Sequence, residues 1–421
     1  MYMNTIIFYS KLLGVKSPWS IREVILDDAG ERVDVYMEHC SGVRFPCPVC
    51  EEFCGVYDHT TEREFRHLNT CQMETWLHVR IPRINCPTHG VQQIIHGIAE
   101  DTTGLTFAFE SLALMLEHEC SLESTSRLLG LDWHTCHRIQ EKAVSRGMAR
   151  KPKAIPARIG VDEKSFAKGH KYETLVYNLD HGIVEYVCDH RGQESLESYY
   201  SRFNKEELAS VEVITMDMWD PYIAATKAYV PKAEKKIVFD RYHVIKQVVD
   251  AVDKVRKQEN KALQEQGNGL LKGTRYLWLW NQENLPEWRK EEFKELQAQD
   301  LKVCRAWAIK ENIRHLWDYR TEGWMRKYFK KWYHWATHSR LQPIIKAART
   351  LKRHLDNILT YAKHHITNAL GESLNSKIEK VKRLACGYRN REHYKTAIYF
   401  HCGGLDLMPR RPDISMQVMT A

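Results

Sequence analysis

The chain has 421 residues, 43% of them hydrophobic, and a formal net charge of +8. That length exceeds one small core and predicts two to four domains, while no run approaches the roughly 18 apolar residues of a membrane span. The patch at residues 6–9, followed by Lys11, lacks the shape of a secretory signal, so the expected compartment is the cytoplasm, and the charge excess permits a nucleic-acid partner without establishing one.

Residues 1–100 read as a metal-clipped β module. Residues 21–26 and 32–37 alternate like strands around an Asp/Gly turn, which predicts a hairpin. Cys47-Pro48-Val49-Cys50 and Cys86-Pro87-Thr88-His89 follow. Each half offers two ligands with two residues between, the spacing of a zinc knuckle. Cys47, Cys50, Cys86 and His89 are therefore expected to hold one structural Zn²⁺, closed by four protein ligands. Cys54, Cys71 and His59 are spare thiol and imidazole groups with poorer spacing. The twelve cysteines are too diluted for a disulfide scaffold and fit a reducing cytosol. Residues 73–81 alternate like a strand. Arg63, Arg66, His67, Arg80 and Arg83 offer a basic face, equally readable as an ordinary solvated one.

Residues 101–150 are helical by their leucine spacing. One helix near 122–129 is broken at Gly130, where positive φ is permitted. Asp132 can cap a second helix. Its inward residues are Trp133, Cys136 and Ile139. His134, Thr135, His137, Arg138 and Lys142 are expected to point outward. A short helix, a Gly turn and a polar-faced second helix is a helix-turn-helix arrangement that reads DNA, although any helical hairpin shares the pattern. Residues 151–156, with two prolines, form a stiff linker.

Residues 151–250 predict the first part of an α/β core. Strands are expected at 157–162, 172–180, 183–188, 211–217 and 236–240, with helices at 194–203 and 222–229. A three-strand meander followed by alternating helices and strands is the RNase H-like order, in which the first and fourth strands are neighbours. Asp162 and Asp217, one at each strand's end, would then lie side by side. Two such carboxylates repel unless a cation sits between them, and Mg²⁺ is the usual cation where phosphates are the substrate. Either Asp alone reads more simply as a turn or cap residue; the pair on neighbouring strands favours the site.

Residues 251–345 lack strand-like runs and carry eight tryptophans between Trp278 and Trp335. They are expected to be a helical insertion whose tryptophans mostly form its core, some remaining available to stack on bases. Arg326, Lys327, Lys330, Lys331, His334 and His338 make its end basic. Residues 346–421 return to the core with a basic C-terminal segment. Leu370, Leu374, Ile378 and Val381 predict one buried helical stripe with Glu372 off it, near Asn375, Ser376 and Glu379. Thr367 or Asn368 can cap this helix and Gly387 can end it. Lys377, Lys380, Lys382 and Arg383 follow as candidate DNA contacts. The fold class expected is thus multidomain α+β: a zinc-binding β module, a helix-turn-helix, and an RNase H-like α/β catalytic core interrupted by a helical insertion.

Taken together and in order, these segments resemble a known group. They are Cys47-x-x-Cys50, Cys86-x-x-His89, Gly160-Val161-Asp162-Glu163, Met216-Asp217-Met218-Trp219-Asp220-Pro221-Tyr222, Phe239-Asp240-Arg241-Tyr242-His243-Val244, Thr367-Asn368 with Glu372-Ser373-Leu374-Asn375-Ser376-Lys377, and Gly387-Tyr388-Arg389-Asn390. The set is similar to the ISL-three (ISL3) family of bacterial insertion-sequence transposases. The resemblance implies a DDE transposase with Asp162, Asp217 and Glu372 as its triad, binding Mg²⁺ or Mn²⁺. Asp240 and His243 resemble the Asp-x-x-His signature that supports such sites. It further implies DNA as partner, both the terminal inverted repeats and the target. A homodimer or larger assembly on DNA and a cytoplasmic, nucleoid-associated place in a bacterium are also expected. A nuclease of the same fold without strand transfer, or a DNA-binding regulator with an inactive core, are the rival readings.

Overall fold

The computed structural model describes residues 5–100, 103–167, 171–366, 369–412 and 419–420. A short helix α1 (Thr5–Leu12) precedes the first sheet. Its strands are β1 (Trp19–Asp27), β2 (Arg32–His39), β3 (Val43–Pro46), β4 (Phe53–Thr70), β5 (Met73–Cys86) and β6 (Gly90–Gln93). The hairpin β1–β2 forms as the alternation predicts. β2 pairs in parallel with β5, and β5 pairs antiparallel with both β4 and β6. Val33, Val35, Phe65, Val79 and Ile81 are buried beneath it. Residues Met419–Thr420 (β12) lie antiparallel to β3.

Three helices follow: α2 (Phe107–Glu119), α3 (Leu122–Leu129) and α4 (Trp133–Arg150). Gly130 ends α3 in the left-handed region at φ 65°, which glycine adopts without Cβ strain. Asp132 caps α4 by accepting from the Thr135 amide at 3.0 Å, as its side chain suits it to do. His134 and Arg138 are exposed, and Thr135 and Lys142 are half-buried. His137 departs from expectation. It is buried, because a later helix of the core covers this face of α4.

Glu117 of α2 is buried, and neither of its carboxylate oxygens has a hydrogen-bond partner among the described residues. Burial, with the charge of Glu110 adding, pushes its pKa from 4.5 up to about 9. Between those values the folded chain keeps a proton that the unfolded chain releases. Stability present below the unfolded value is therefore lost as pH rises toward 9. Glu117→Gln removes this dependence. It should stabilise the protein at pH 8 by on the order of 1–3 kcal/mol and leave stability near pH 4.5 little changed. Thermal melts across that range check it, and an equal effect at all pH values would count against a buried neutral carboxyl.

The second sheet contains β7 (Arg158–Ala167), β8 (Lys171–Asn178), β9 (Ile183–Asp189), β10 (Val213–Met216) and β11 (Ile237–Phe239). Its order is β11-β10-β7-β8-β9. β7–β8–β9 is an antiparallel meander, while β10 runs parallel to both β7 and β11. Asp162 does not end its strand as expected: β7 continues five residues further, paired with β8. β10 pairs with β7 only up to Thr215 and Gly160. Beyond that point the edge of β7 opposite β8 lacks a strand partner among the described residues, and this edge carries Asp162 and Glu163.

Helices α5 (Gln193–Tyr200), α6 (Lys205–Ser210), α7 (Asp220–Tyr229) and α8 (Arg241–Glu265) follow in order. Ile159, Val161, Ile214 and Phe239 of the sheet are buried with Leu196, Tyr199, Tyr222 and Val244 from this side. The helical block adds α9 (Arg275–Leu279), α10 (Lys290–Gln297), α11 (Lys302–Ile313), α12 (Glu322–Thr337), α13 (Gln342–Arg353), α14 (Leu355–Leu359) and α15 (Tyr361–His364). Trp278, Trp307, Trp317 and Trp332 belong to its core, whereas Trp288, Trp324 and Trp335 are exposed. No helix of the described residues is long and apolar enough to cross a membrane.

Helices α16 (Ala369–Leu384) and α17 (Arg391–Cys402) cover the opposite face of the second sheet. Leu374 and Ile378 of α16, with Tyr394 and Ile398 of α17, pack on Phe166, Leu175, Tyr177 and Val187. Leu370 was expected in the same stripe but is exposed, and Gly371 is buried instead. The expected caps Thr367 and Asn368 lie outside the described residues. Cys386, in the left-handed region at φ 53°, turns the chain back so that the following Gly387 amide donates to the Lys382 carbonyl at 2.9 Å. That bond satisfies an orphan carbonyl of the last turn.

Candidate active site

Alternation along β7 decides where its acidic side chains go. Ile159 and Val161 face α5, α7 and α8, so Asp162 faces α16 and Glu163 the other layer. The contacts agree. Asn375 of α16 donates through Nδ2 to Asp162 Oδ2 at 2.6 Å. Tyr177 of β8 donates to Asn375 Oδ1 at 2.9 Å. The relay Tyr177–Asn375–Asp162 fixes both the carboxylate and the helix. Glu163 instead accepts from Arg191 Nη1 at 3.0 Å, and Arg191 stacks on Trp219, 4.1 Å from the ring centroid.

Asp217 follows the last residue of β10, level with Asp162 on the neighbouring strand. One ligand oxygen each from Asp162, Glu163 and Asp217 lie within 4.8 Å of one another. Burial first, and then the charge of Asp217, push Asp162 up to about 6. Burial also raises Glu163, against the opposing pull of Arg191. A partly desolvated carboxylate cluster is unfavourable by itself and becomes favourable around a cation. The donor set is all oxygen, which suits a hard divalent ion.

β11 brings in the next pair. Asp240 caps α8 by accepting from the Tyr242 amide at 2.6 Å. The cap starts the helix so that His243, one turn in, reaches back. Its Nδ1 donates to Asp217 Oδ2 at 3.0 Å. Burial works to lower the His243 pKa. The bond to Asp217 and the charges of Asp217, Asp240 and Asp162 outweigh it, and the net shift is upward. The Asp-x-x-His spacing thus has a local reason: one residue caps, and the other holds a carboxylate of the cluster.

Glu372 lies in the first turn of α16, is exposed, and stands outside the three-carboxylate cluster. It is three residues before Asn375 and so shares the helix face that meets Asp162. Glu379, seven residues on, is held elsewhere: it pairs with Lys164 at 3.0 Å, which lowers its pKa. Lys382 Nζ donates to the Ser165 carbonyl at 2.8 Å. Lys377, Lys380 and Arg383 are exposed along the same helix. Sequence reasoning missed Glu163 as a cluster member and Asn375 as its anchor. The adjacency of Glu163 to Asp162 was the available signal for the first, and the Asn375 contact depends on helix docking that spacing does not encode.

In the first sheet, Cys47 and Cys50 lie in the turn after β3, closed by the Glu51 amide on the Cys47 carbonyl at 2.9 Å. Cys86 ends β5 and His89 occupies the turn before β6. Cys47 Sγ is 3.8 Å from His89 Nδ1, Cys86 Sγ is 3.6 Å from the same nitrogen, and Cys50 Sγ is 3.6 Å from Cys86 Sγ. A tetrahedral zinc site with bonds of about 2.0–2.3 Å has ligand–ligand edges of roughly 3.4–3.8 Å. The four residues therefore fit zinc. Cys54 is buried nearby, and its thiol donates instead to the Glu52 carbonyl.

The comparisons agree with this layout. The family model of a zinc finger of transposases IS204, IS1001, IS1096 and IS1165 matches residues 44–89. The chain is 25% identical over 379 residues to the transposase for insertion sequence element IS1001 of Bordetella parapertussis, covering 87% of this chain and 91% of that one. It is 27% identical over 421 residues to the transposase for insertion sequence element IS1557 of Mycobacterium tuberculosis, covering 92% and 93%. The family model of the ISL3 DDE transposase domain matches residues 159–398. That match takes in more than half of the chain and both aspartates of the carboxylate cluster, and the chain belongs to the ISL3 family of insertion-sequence transposases.

Proposed function

We propose that this transposase binds the terminal inverted repeats of its own insertion sequence, hydrolyses the phosphodiester bond at each end, and joins the freed 3′-OH to target DNA. One observation carries the reading: Asp162 and Asp217, on neighbouring strands, converge in a cluster that fits a hard divalent cation. The sheet order with its three-strand meander supports an RNase H-like core over 151–250 and 346–421, interrupted by a helical insertion over 251–345.

Asp162, Asp217 and Glu372 would hold Mg²⁺ or Mn²⁺. The cation supplies a lowered pKa for the attacking water and charge for the leaving 3′ oxygen. Asp162 and Asp217, on neighbouring strands, would supply the cluster's oxygens to the cation, and Glu372 would close on it from α16. Asp217 is oriented by His243, and Asn375 holds Asp162 toward α16. The protein's own contribution is positioning and charge, with no covalent enzyme intermediate.

Ahead of the core, residues 1–100 form the zinc-binding domain, with Zn²⁺ on Cys47, Cys50, Cys86 and His89. Residues 101–150 form a helix-turn-helix in which α4 reads DNA through His134, Thr135, Arg138 and Lys142. Lys377, Lys380, Lys382 and Arg383, on the helix that carries Glu372, suit backbone phosphates. The basic face of α12 and its exposed Trp324 suit a cut DNA end. Two element ends must be held at once, so a dimer or larger assembly on DNA is part of the proposal.

The test incubates the protein and Mg²⁺ with linear DNA carrying one element end, plus a supercoiled target. Cleavage at the end followed by a joined product supports the reading. Cleavage without joining favours a nuclease, and binding without cleavage favours a regulator. His243→Ala should lower the cleavage rate on the order of 10–100-fold, the usual cost of losing a residue that orients a metal ligand. Complete loss with the fold intact would make His243 a group acting on the substrate.

A further inference from the structure

A third cluster of metal-ligating groups stands apart from the carboxylates and the cysteines. His137 and Glu141 are four residues apart on α4 and share one face. His393 approaches them from the first turn of α17, which belongs to the core. One ligand atom from each lies within 4.8 Å of the others. His137 Nδ1 is 3.6 Å from Glu141 Oε2, and the two imidazole centroids are 3.8 Å apart. Tetrahedral nitrogen and oxygen ligands at about 2.0–2.1 Å stand roughly 3.3–3.5 Å from one another, so small side-chain adjustments close the set.

His137 is 6% exposed, and its Nε2 is buried without a hydrogen-bond partner among the described residues. Trp133 stacks on the His137 ring at 5.1 Å and 10°, which fixes its plane. Neutral imidazole is the ligating form. Trp133, Gln140 and His393 also line a groove between α4 and the 381–393 segment, which leaves His393 reachable from solvent.

We propose that His137, Glu141 and His393 bind a second Zn²⁺, which clips α4 to α17 and sets the orientation of α4 relative to the catalytic sheet. Two imidazoles and one carboxylate favour zinc over Mg²⁺, which takes oxygen ligands. The clip differs from the cysteine site in chemistry as well as place, because it contains no thiolate.

The experiment counts zinc on the purified full-length chain after dialysis into Mg²⁺ buffer. Two zinc ions per chain are expected, falling to one in His393→Ala and to one in Cys47→Ser. Asp162→Asn should retain two, which separates the clip from the carboxylate cluster. Glu141→Gln, at an exposed side chain, guards against misfolding of the histidine variant and should weaken the second zinc at least about tenfold. Cobalt titration of the zinc-free protein reads the same point: one equivalent with thiolate charge-transfer bands and one without. One zinc per chain, lost entirely in Cys47→Ser, would overturn the proposal, as would two retained in both His393→Ala and Glu141→Gln.

Discussion

Asp162→Asn should lower end cleavage and strand transfer by at least about 10³-fold, beyond the usual loss of one preorganised donor. The substitution keeps the size and removes the charge that Asp162 would supply to a divalent cation. Binding to the inverted repeat should persist, because Asp162 faces α16 and Asn375 rather than α4. Thermal stability in metal-free buffer at pH 8 should not fall. Burial and Asp217 already push the Asp162 pKa up to about 6, so its charge is a cost to the metal-free fold above that pH. A neutral amide removes the cost while forfeiting one of the two bonds accepted from Asn375 and the Glu163 amide. An inactive variant that holds its melting temperature indicates a residue kept for chemistry. A large fall in melting temperature together with lost DNA binding would reassign Asp162 to structure.

Much of this site was legible because it is local. The β-branched runs before Asp162 and Asp217 announce buried strands, and the meander orders them without knowledge of any contact. The Cys-x-x-Cys and Cys-x-x-His halves announce each other by repetition. Gly130 and Asp132 mark the turn between α3 and α4 through backbone conformation and capping, which neighbours in sequence decide. What escaped was decided by docking. β4 reads as polar over residues 58–64, and its pairing with β5 makes it a strand of 18 residues. His137 sits on a face that polarity assigns to solvent, and only the arrival of α17 buries it. In sequence, Glu379 has Lys380, Lys382 and Arg383 beside it. It reaches Lys164 instead, because α16 lies along β7 and brings the two within 3.0 Å.

That docking also separates the surroundings of the two candidates for the third carboxylate. Along α16, Asn375 meets Asp162, Glu379 meets Lys164, and Lys382 meets Ser165. Helix and strand therefore advance together, at about 1.5 Å and 3.3 Å per residue. Glu379 is about 6 Å past the Asn375 contact along the helix axis, and its charge is already matched by Lys164. Glu372 is one turn before Asn375 on the same face, exposed, and no ion pair to it is found among the described residues. Its carboxyl is free to turn toward a cation held by Asp162 and Asp217. Glu372→Gln should then abolish cleavage and strand transfer, by about 10³-fold or more, while end binding is spared. Glu379→Gln loses one half-exposed ion pair, worth on the order of 1 kcal/mol or less, and should leave both reactions largely intact. The readout is paired: cleavage and joining on the same labelled element end, with binding measured alongside. Reversed phenotypes would move the third carboxylate to Glu379. Loss of activity in neither variant would hand the role to Glu163, whose carboxylate already stands within the cluster.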